Sequence, residues 1–225
     1  MINIPKNIQA IIFDLDGTVF DSMGIWEQID REFLGERNIT IPDDYFDTVL
    51  AMSFKEVAAY TIERFGLPET IEELQLDWNK RAAKAYASTI ELKPYVKEYI
   101  LSLAQIYPLA VATSLPPELH RPALKRHGLL DAFELIVTTH EVGKGKDSPL
   151  IFQETAKRLG LKPDDCLLFE DVLEGITSAK AIDMPVIGVF DEFSAKDWEA
   201  IQQQADDWIE DFSRAPQPAS IGISG

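Results

Sequence analysis

The stretch Phe13-Asp14-Leu15-Asp16-Gly17-Thr18 closes an apolar run, Ile8–Asp14, that has the length and branched-residue content of a buried strand. Alternation along an extended chain puts Asp14 and Asp16 on one face at the strand's carboxyl end, where ligands of open α/β sheets bind. Two carboxylates at i and i+2 repel one another unless a cation lies between them or one keeps a proton. That requirement suggests a hard, oxygen-loving ion such as magnesium. Gly17 permits a sharp turn that can aim backbone amides at an anion. Read alone, Asp14-Leu15-Asp16-Gly17 is equally a turn at a strand end.

Outward from this stretch, four more short apolar runs stand between helix-period segments: Leu109–Thr113, Leu135–Thr138, Cys166–Glu170 and Val186–Phe190. This is the βαβ rhythm of a buried, doubly wound parallel sheet, so the fold class is α/β. Helix end signals punctuate it. Ser148 is placed as an N-cap with Pro149 at the first helical position and Gly160 past the end; Pro117–His127 stops at Gly128, and a helix over Tyr95–Ile106 follows Pro94.

From about Ser22 to Ser88 the rhythm breaks into helical periodicity without a strand, with capping-box spacings at Ser53/Glu56 and Thr70/Glu73 and a helix stop at Gly66. The expected organisation is therefore a core of residues 1–21 and 89–213, a helical cap of 22–88 and a disordered tail of 214–225, rich in Pro, Ser and Gly. The stretch Trp198–Phe212 reads as an amphipathic closing helix and a terminal segment.

The other strand ends also carry polar groups. Leu109–Thr113 runs into Ser114 just before a helix, so that Thr113 and Ser114 are either phosphate donors or a helix cap. The loop Gly143-Lys144-Gly145-Lys146-Asp147-Ser148-Pro149 offers two ammonium groups. One could neutralise a phosphate and its attacking carboxylate, and the other is a solvated surface lysine. Cys166–Glu170 leads directly into Asp171. Glu170 and Asp171 could complete a metal site with Asp14 and Asp16, or Asp171 could cap the following helix.

The chain of 225 residues carries a net charge of -17, and its 21 lysines and arginines are scattered. Such a field repels polyanions, which argues against nucleic acid and requires any phosphate site to reverse the sign locally with a metal and nearby cations. No apolar run approaches the ~20 residues of a membrane span. With a single cysteine, Cys166, the expectation is a cytoplasmic protein. Nothing in the sequence favours monomer over dimer.

Taken together and in this order, these four segments resemble the four motifs of the haloacid dehalogenase-like (HAD) superfamily, and the match spans the core on both sides of the insertion. The resemblance implies a Rossmann-like core with motif strand order 3-2-1-4-5. It implies Asp14 as nucleophile, Asp16 as general acid and base, and Thr113 as phosphate-binding hydroxyl. Lys146 corresponds to the lysine of a Gly-Lys-Pro-x-Pro pattern, although Asp147 replaces the usual proline. Glu170-Asp171 with Gly175 is similar to a last motif whose Asp binds magnesium.

The insertion resembles the cap of the β-phosphoglucomutase and phosphoglycolate phosphatase branch, which implies a Mg2+-dependent phosphatase acting on a small phosphorylated metabolite. Related alternatives are a phosphomutase and a silent phosphate-binding protein. β-Phosphoglucomutases carry a histidine and a cap arginine where this chain has Trp26 and Phe54, with Lys55 beside the latter. Trp26, Phe54 and Lys55, with Met52, are thus the expected substrate face of the cap.

Overall fold

The structure, a computed structural model, describes residues 3–218 except Leu50, Ala51 and Ser53. Ser53, the proposed start of a capping box, lies outside the described residues. The chain divides into two compact units, one holding the chain up to Met23 and from Ile90 onward, the other Gly24–Thr89.

In chain order the elements are β1 Ala10–Phe13, β2 Phe20–Asp21, α1 Ile25–Gly35, α2 Tyr45–Val49, α3 Phe54–Phe65, α4 Ile71–Ser88, β3 Glu91–Leu92, α5 Val96–Leu103 and β4 Leu109–Thr113. They continue with α6 Pro117–His127, β5 Leu135–Thr138, α7 Thr139–Val142, α8 Leu150–Arg158, β6 Cys166–Glu170, α9 Leu173–Lys180, β7 Val186–Val189, α10 Trp198–Gln204 and β8 Asp207–Ile209.

The first unit is built on a parallel sheet of order β5-β4-β1-β6-β7-β8. Its first five strands follow the order the motifs imply; the sixth, β8, falls in a stretch expected to be helix and terminal segment. Three residues beside two acids carry too little alternation to announce a strand, and β8 forms because β7 offers it a partner, pairing Ile187 with Asp207 and Val189 with Ile209.

Both sheet faces are covered. One buries Ala10, Ile12, Ala112, Cys166 and Leu168 against Ile151, Phe152, Ile176 and Ile201 of the helices. The alternate residues face the other way, where Phe13 stacks on Phe169 at 4.9 Å and Tyr99 and Phe212 close the aromatic cluster.

Local signals hold with small shifts. Thr70 and Glu73 form the full capping box of α4, and Gly128 ends α6 at φ +71°. The residue capping α8 is Pro149 rather than Ser148, whose hydroxyl accepts only a long bond from the Leu150 amide. α5 starts at Val96 because Tyr95 occupies the left-handed region at φ 64°.

Residues 214–218, expected within the tail, are instead tied to the core. Tyr99 donates to the Pro216 carbonyl at 2.7 Å, Ala215 is buried, and Gln217 bridges to Asn3. Satisfying a buried tyrosine hydroxyl fixes a segment whose composition alone suggests disorder. Residues 219–225 lie outside the described residues. Among those described, no helix is long and apolar enough to cross a membrane.

The second unit is α1–α4, with α4 packed on α1 and α3. Its core contains a chain of buried oxygens: Asp30 Oδ2 to Tyr45 Oη at 3.1 Å, Tyr45 to Thr61 Oγ1 at 2.7 Å, and Thr61 to the Val57 carbonyl at 2.7 Å. Tyr45 donates to Asp30, and Thr61 donates to the Val57 carbonyl. Burial pushes the Asp30 carboxyl from 3.8 to about 6, against the lowering effect of the Tyr45 hydrogen bond.

A folded-state pKa above the unfolded one means that folding takes up a proton. This contribution to stability is complete below pH 3.8 and is lost as the pH rises through about 6. Asp30→Asn, which stays neutral, is therefore expected to be destabilised relative to wild type less at pH 7.5 than at pH 4.5. Urea unfolding of both chains at the two pH values measures the difference, and a pH-independent gap would refute the raised Asp30 pKa.

Candidate active site

The site grows from sheet register. Phe13 of β1 pairs with Phe169 of β6 and Val111 of β4, so the next residues, Asp14 and Glu170, and Thr113 two past Val111, emerge together at the carboxyl end of three adjacent parallel strands. The turn after β1 is tight, with the Leu15 carbonyl accepting from the amides of Val19 and Phe20. Gly17 adopts φ +76°, and a Cβ there would overlap the Asp171 carboxylate. The glycine is required twice, for its backbone and for the space beside Asp171. Its amide donates to the Phe20 carbonyl at 3.0 Å, so Gly17 shapes the site and does not hold an anion through that amide.

Asp14, Glu170 and Asp171 are all buried, and each brings a carboxylate oxygen within 4.8 Å of the others. Lys146 supplies the nearest cation. Its ammonium is ion-paired to Asp14 and lies 2.7 Å from Glu170 Oε2. Burial alone would lower the lysine's pKa, but the two carboxylates outweigh it and hold Lys146 protonated. Lys144, the other lysine of the loop, is exposed.

Glu170 engages both oxygens with donors: Oε2 with Lys146, and Oε1 with the amides of Asp171 and Val172 at 3.2 and 3.1 Å. Gly175 makes room for it, since a Cβ there would lie 2.8 Å from Glu170 Cδ. Asp171 is different. Thr18 donates to its Oδ1 at 2.9 Å, while its buried Oδ2 has no partner. Burial pushes the Asp171 carboxyl well up, with Glu170 and Asp14 adding to the shift. An orphaned carboxylate oxygen beside two further carboxylates, with one ammonium between three, fits a bound cation, and the all-oxygen donor set suits a hard one.

Asp16 stands apart from this trio. Ser22 donates to its Oδ1, and the residue is half-buried. Thr113 is buried; its hydroxyl accepts from the Leu115 amide at 3.1 Å and keeps its proton to donate, while Ser114 is exposed. In the helical unit, Trp26 and Phe54 are both partly exposed and meet edge to face at 5.2 Å, with Phe54 backed by Trp78. Lys55 is exposed beside them.

Thr18, Ser22 and Gly175's space-making role escape sequence reasoning. Thr18 meets an acid 153 positions away, and no local pattern signals that. Ser22 lies only six residues after Asp16, and that short separation is the one local signal for its bond to the acid.

Gly17→Ala is expected to displace Asp171 and strain the turn, weakening divalent-cation binding at least tenfold and destabilising the fold by about 1–3 kcal/mol. Calorimetric titration with Mg2+ and thermal unfolding measure the two effects; wild-type values in both would show that the turn tolerates a side chain.

The family model for haloacid dehalogenase-like hydrolases matches residues 11–189. The chain is 30% identical over 183 residues to the Bacillus subtilis protein YhcW, covering 80% of this chain and 82% of the relative. It is 26% identical over 180 residues to the Escherichia coli K12 fructose-1-phosphate phosphatase YqaB, covering 80% and 95%. In fold it resembles Rhodobacter sphaeroides CbbY, crystallised with phosphate, at a TM-score of 0.74 and 22% identity over 92% of this chain and 96% of that one. The family model covers well over half of the 225 residues, and the chain belongs to the haloacid dehalogenase-like hydrolases.

Proposed function

We propose that the protein is a magnesium-dependent phosphatase that hydrolyses a small phosphorylated metabolite, of the sugar phosphate or phosphoglycolate class, through a phosphoryl group carried on Asp14. The observation that carries this reading is the buried pairing of Lys146 with Asp14 beside the orphaned Asp171 oxygen. Named relatives support it, among them YqaB and a Thermotoga maritima phosphorylated carbohydrates phosphatase, 23% identical over 175 residues.

Asp14 and Asp171 would hold the magnesium, which when bound neutralises phosphoryl oxygens and leaves phosphorus open to attack. Glu170, with both oxygens engaged by donors, is better suited to fixing Lys146 than to ligating the ion. An Asp14 oxygen bonds to phosphorus as the bond from phosphorus to the substrate oxygen breaks. Asp16 gives its proton to the departing alcohol, then takes one from water as that water displaces Asp14 and phosphate leaves. Lys146 and the Thr113 hydroxyl steady the phosphoryl oxygens.

We assign residues 1–21 and 89–213 to this catalytic core and 22–88 to a cap whose face at Trp26, Phe54 and Lys55 meets the organic part of the substrate. All four cap arginines are ion-paired within the cap: Arg31 with Glu27, Arg37 with Glu69, Arg64 with Asp44, and Arg81 with Glu36 and Asp77. A second phosphate would therefore compete with existing carboxylates for a guanidinium, which favours hydrolysis of monophosphates over phosphoryl transfer between sugar positions. A cytoplasmic setting agrees with the buried, unpaired Cys166.

Phosphate release from a panel of sugar phosphates, phosphoglycolate, nucleotides and a chromogenic ester is expected to require Mg2+, to stop with chelator, and to fall by at least about a thousandfold in Asp14→Asn. Phe54→Ala and Lys55→Ala are expected to re-rank the panel while retaining turnover of the chromogenic ester. If wild type released phosphate from none of these, the mutase alternative would take precedence and hexose 1-phosphate isomerisation would be the next assay.

A further inference from the structure

α9 lies directly behind the Lys146–Glu170 pair, and two of its residues one turn apart serve that pair. Gly175 leaves the space that Glu170 fills. Ser178, buried, donates its hydroxyl to the backbone carbonyl of Lys146 at 2.6 Å, across 32 positions of sequence. Residues i and i+3 share a helix face, so one face of α9 sets both the backbone of the lysine and the place of its counter-ion.

A serine in a helix can always bond back to its own helix, and Ser178 does reach the Gly175 carbonyl at 3.1 Å. A hydroxyl has one proton, however, and the shorter, inter-segment bond takes it. Within the loop so held, the Ser148 amide donates to the Gly145 carbonyl at 3.2 Å, but the residues on either side of Lys146 add little stiffness. Gly145 precedes Lys146, and Asp147 stands where the family pattern has a proline whose ring would fix the backbone.

We infer that Ser178 is a positioning residue for the hydrolytic reaction: its hydroxyl pins the Lys146 backbone so that the ammonium stays on Asp14. The inference rests on the phosphatase reading for its kinetic consequence and on the hydrogen bond alone for its structural one. Without the pin Lys146 keeps its charge and its carboxylates, but the loop drifts, and small displacements at a reacting group cost rate more than ground-state binding.

The test uses the full chain as wild type, Ser178→Ala and Ser178→Cys, assayed well below their unfolding midpoints. Cysteine keeps the volume nearly intact but is a weak donor, so it separates packing from hydrogen bonding. Both variants are expected to lose about tenfold in kcat with KM within about twofold of wild type, and to exchange backbone amides faster over residues 143–149. Wild-type kcat in both variants overturns the inference, and so does full activity in Ser178→Cys with loss only in Ser178→Ala. If wild type itself hydrolyses no ester, the phosphatase reading falls instead. Hydrogen exchange then decides the pin by itself, and equal protection of 143–149 in the three chains overturns it.

Discussion

The Lys146 ammonium is held between Asp14 and Glu170 in a buried place where a third carboxylate, Asp171, also ends up. Parallel pairing of β1 with β6 makes this crowding unavoidable, because in-register parallel strands deliver their following residues to the same end of the sheet. Without the lysine, carboxylates would face one another in a medium too poorly polarisable to screen them, a loss on the order of 3–5 kcal/mol for a broken buried pair. Much of the surrounding detail follows from this one arrangement. The loop 143–149 delivers Lys146, Gly175 clears room for its partner, and Thr18 holds the acid that the ammonium does not reach.

Overall charge and local charge pull in opposite directions here. A net -17 would keep phosphorylated molecules away, yet the place where a phosphoryl group would react is the place where one cation is already buried and a second is called for by an unpartnered oxygen. The helical unit handles charge differently. Its arginines are paired with its own acids at the surface, and burial of Asp30 makes its carboxyl easier to protonate than an exposed one.

What could be read from the sequence divides along physical lines. Leu109–Thr113 and Cys166–Glu170 were legible to the residue because central parallel strands are buried on both faces and must be continuously apolar, and Leu135–Thr138, at the sheet edge, was legible from its branched apolar run. Asp14 and Glu170-Asp171 were legible because polar residues at the ends of such strands stand out, and Lys146 because it lies in a glycine-containing loop before a helix. β8 was not, since an edge strand of three residues depends on its neighbour more than on its own pattern. Nor was the anchoring of Ala215 and Pro216, which is decided by a tyrosine more than a hundred positions away. The contacts of Thr18 and Ser178 belong to the same class: hydroxyls are common, and only folding reveals which carbonyl or carboxylate each meets.

β2 and β3 form an antiparallel two-stranded ribbon in which Phe20 pairs with Leu92 and Asp21 with Glu91. The chain therefore leaves the core and re-enters it at neighbouring points, about 5 Å apart by the spacing of paired strands. For the core, everything between those points is a closed loop whose ends are already held. The entropy of closing such a loop grows only with the logarithm of its length, so that doubling the intervening segment costs the core about 0.6 kcal/mol. Insertion size and core stability are thus nearly independent variables in this architecture, and the segment between Met23 and Ile90 can lengthen, shorten or be replaced while the strand ends that carry Asp14 and Asp171 keep their register.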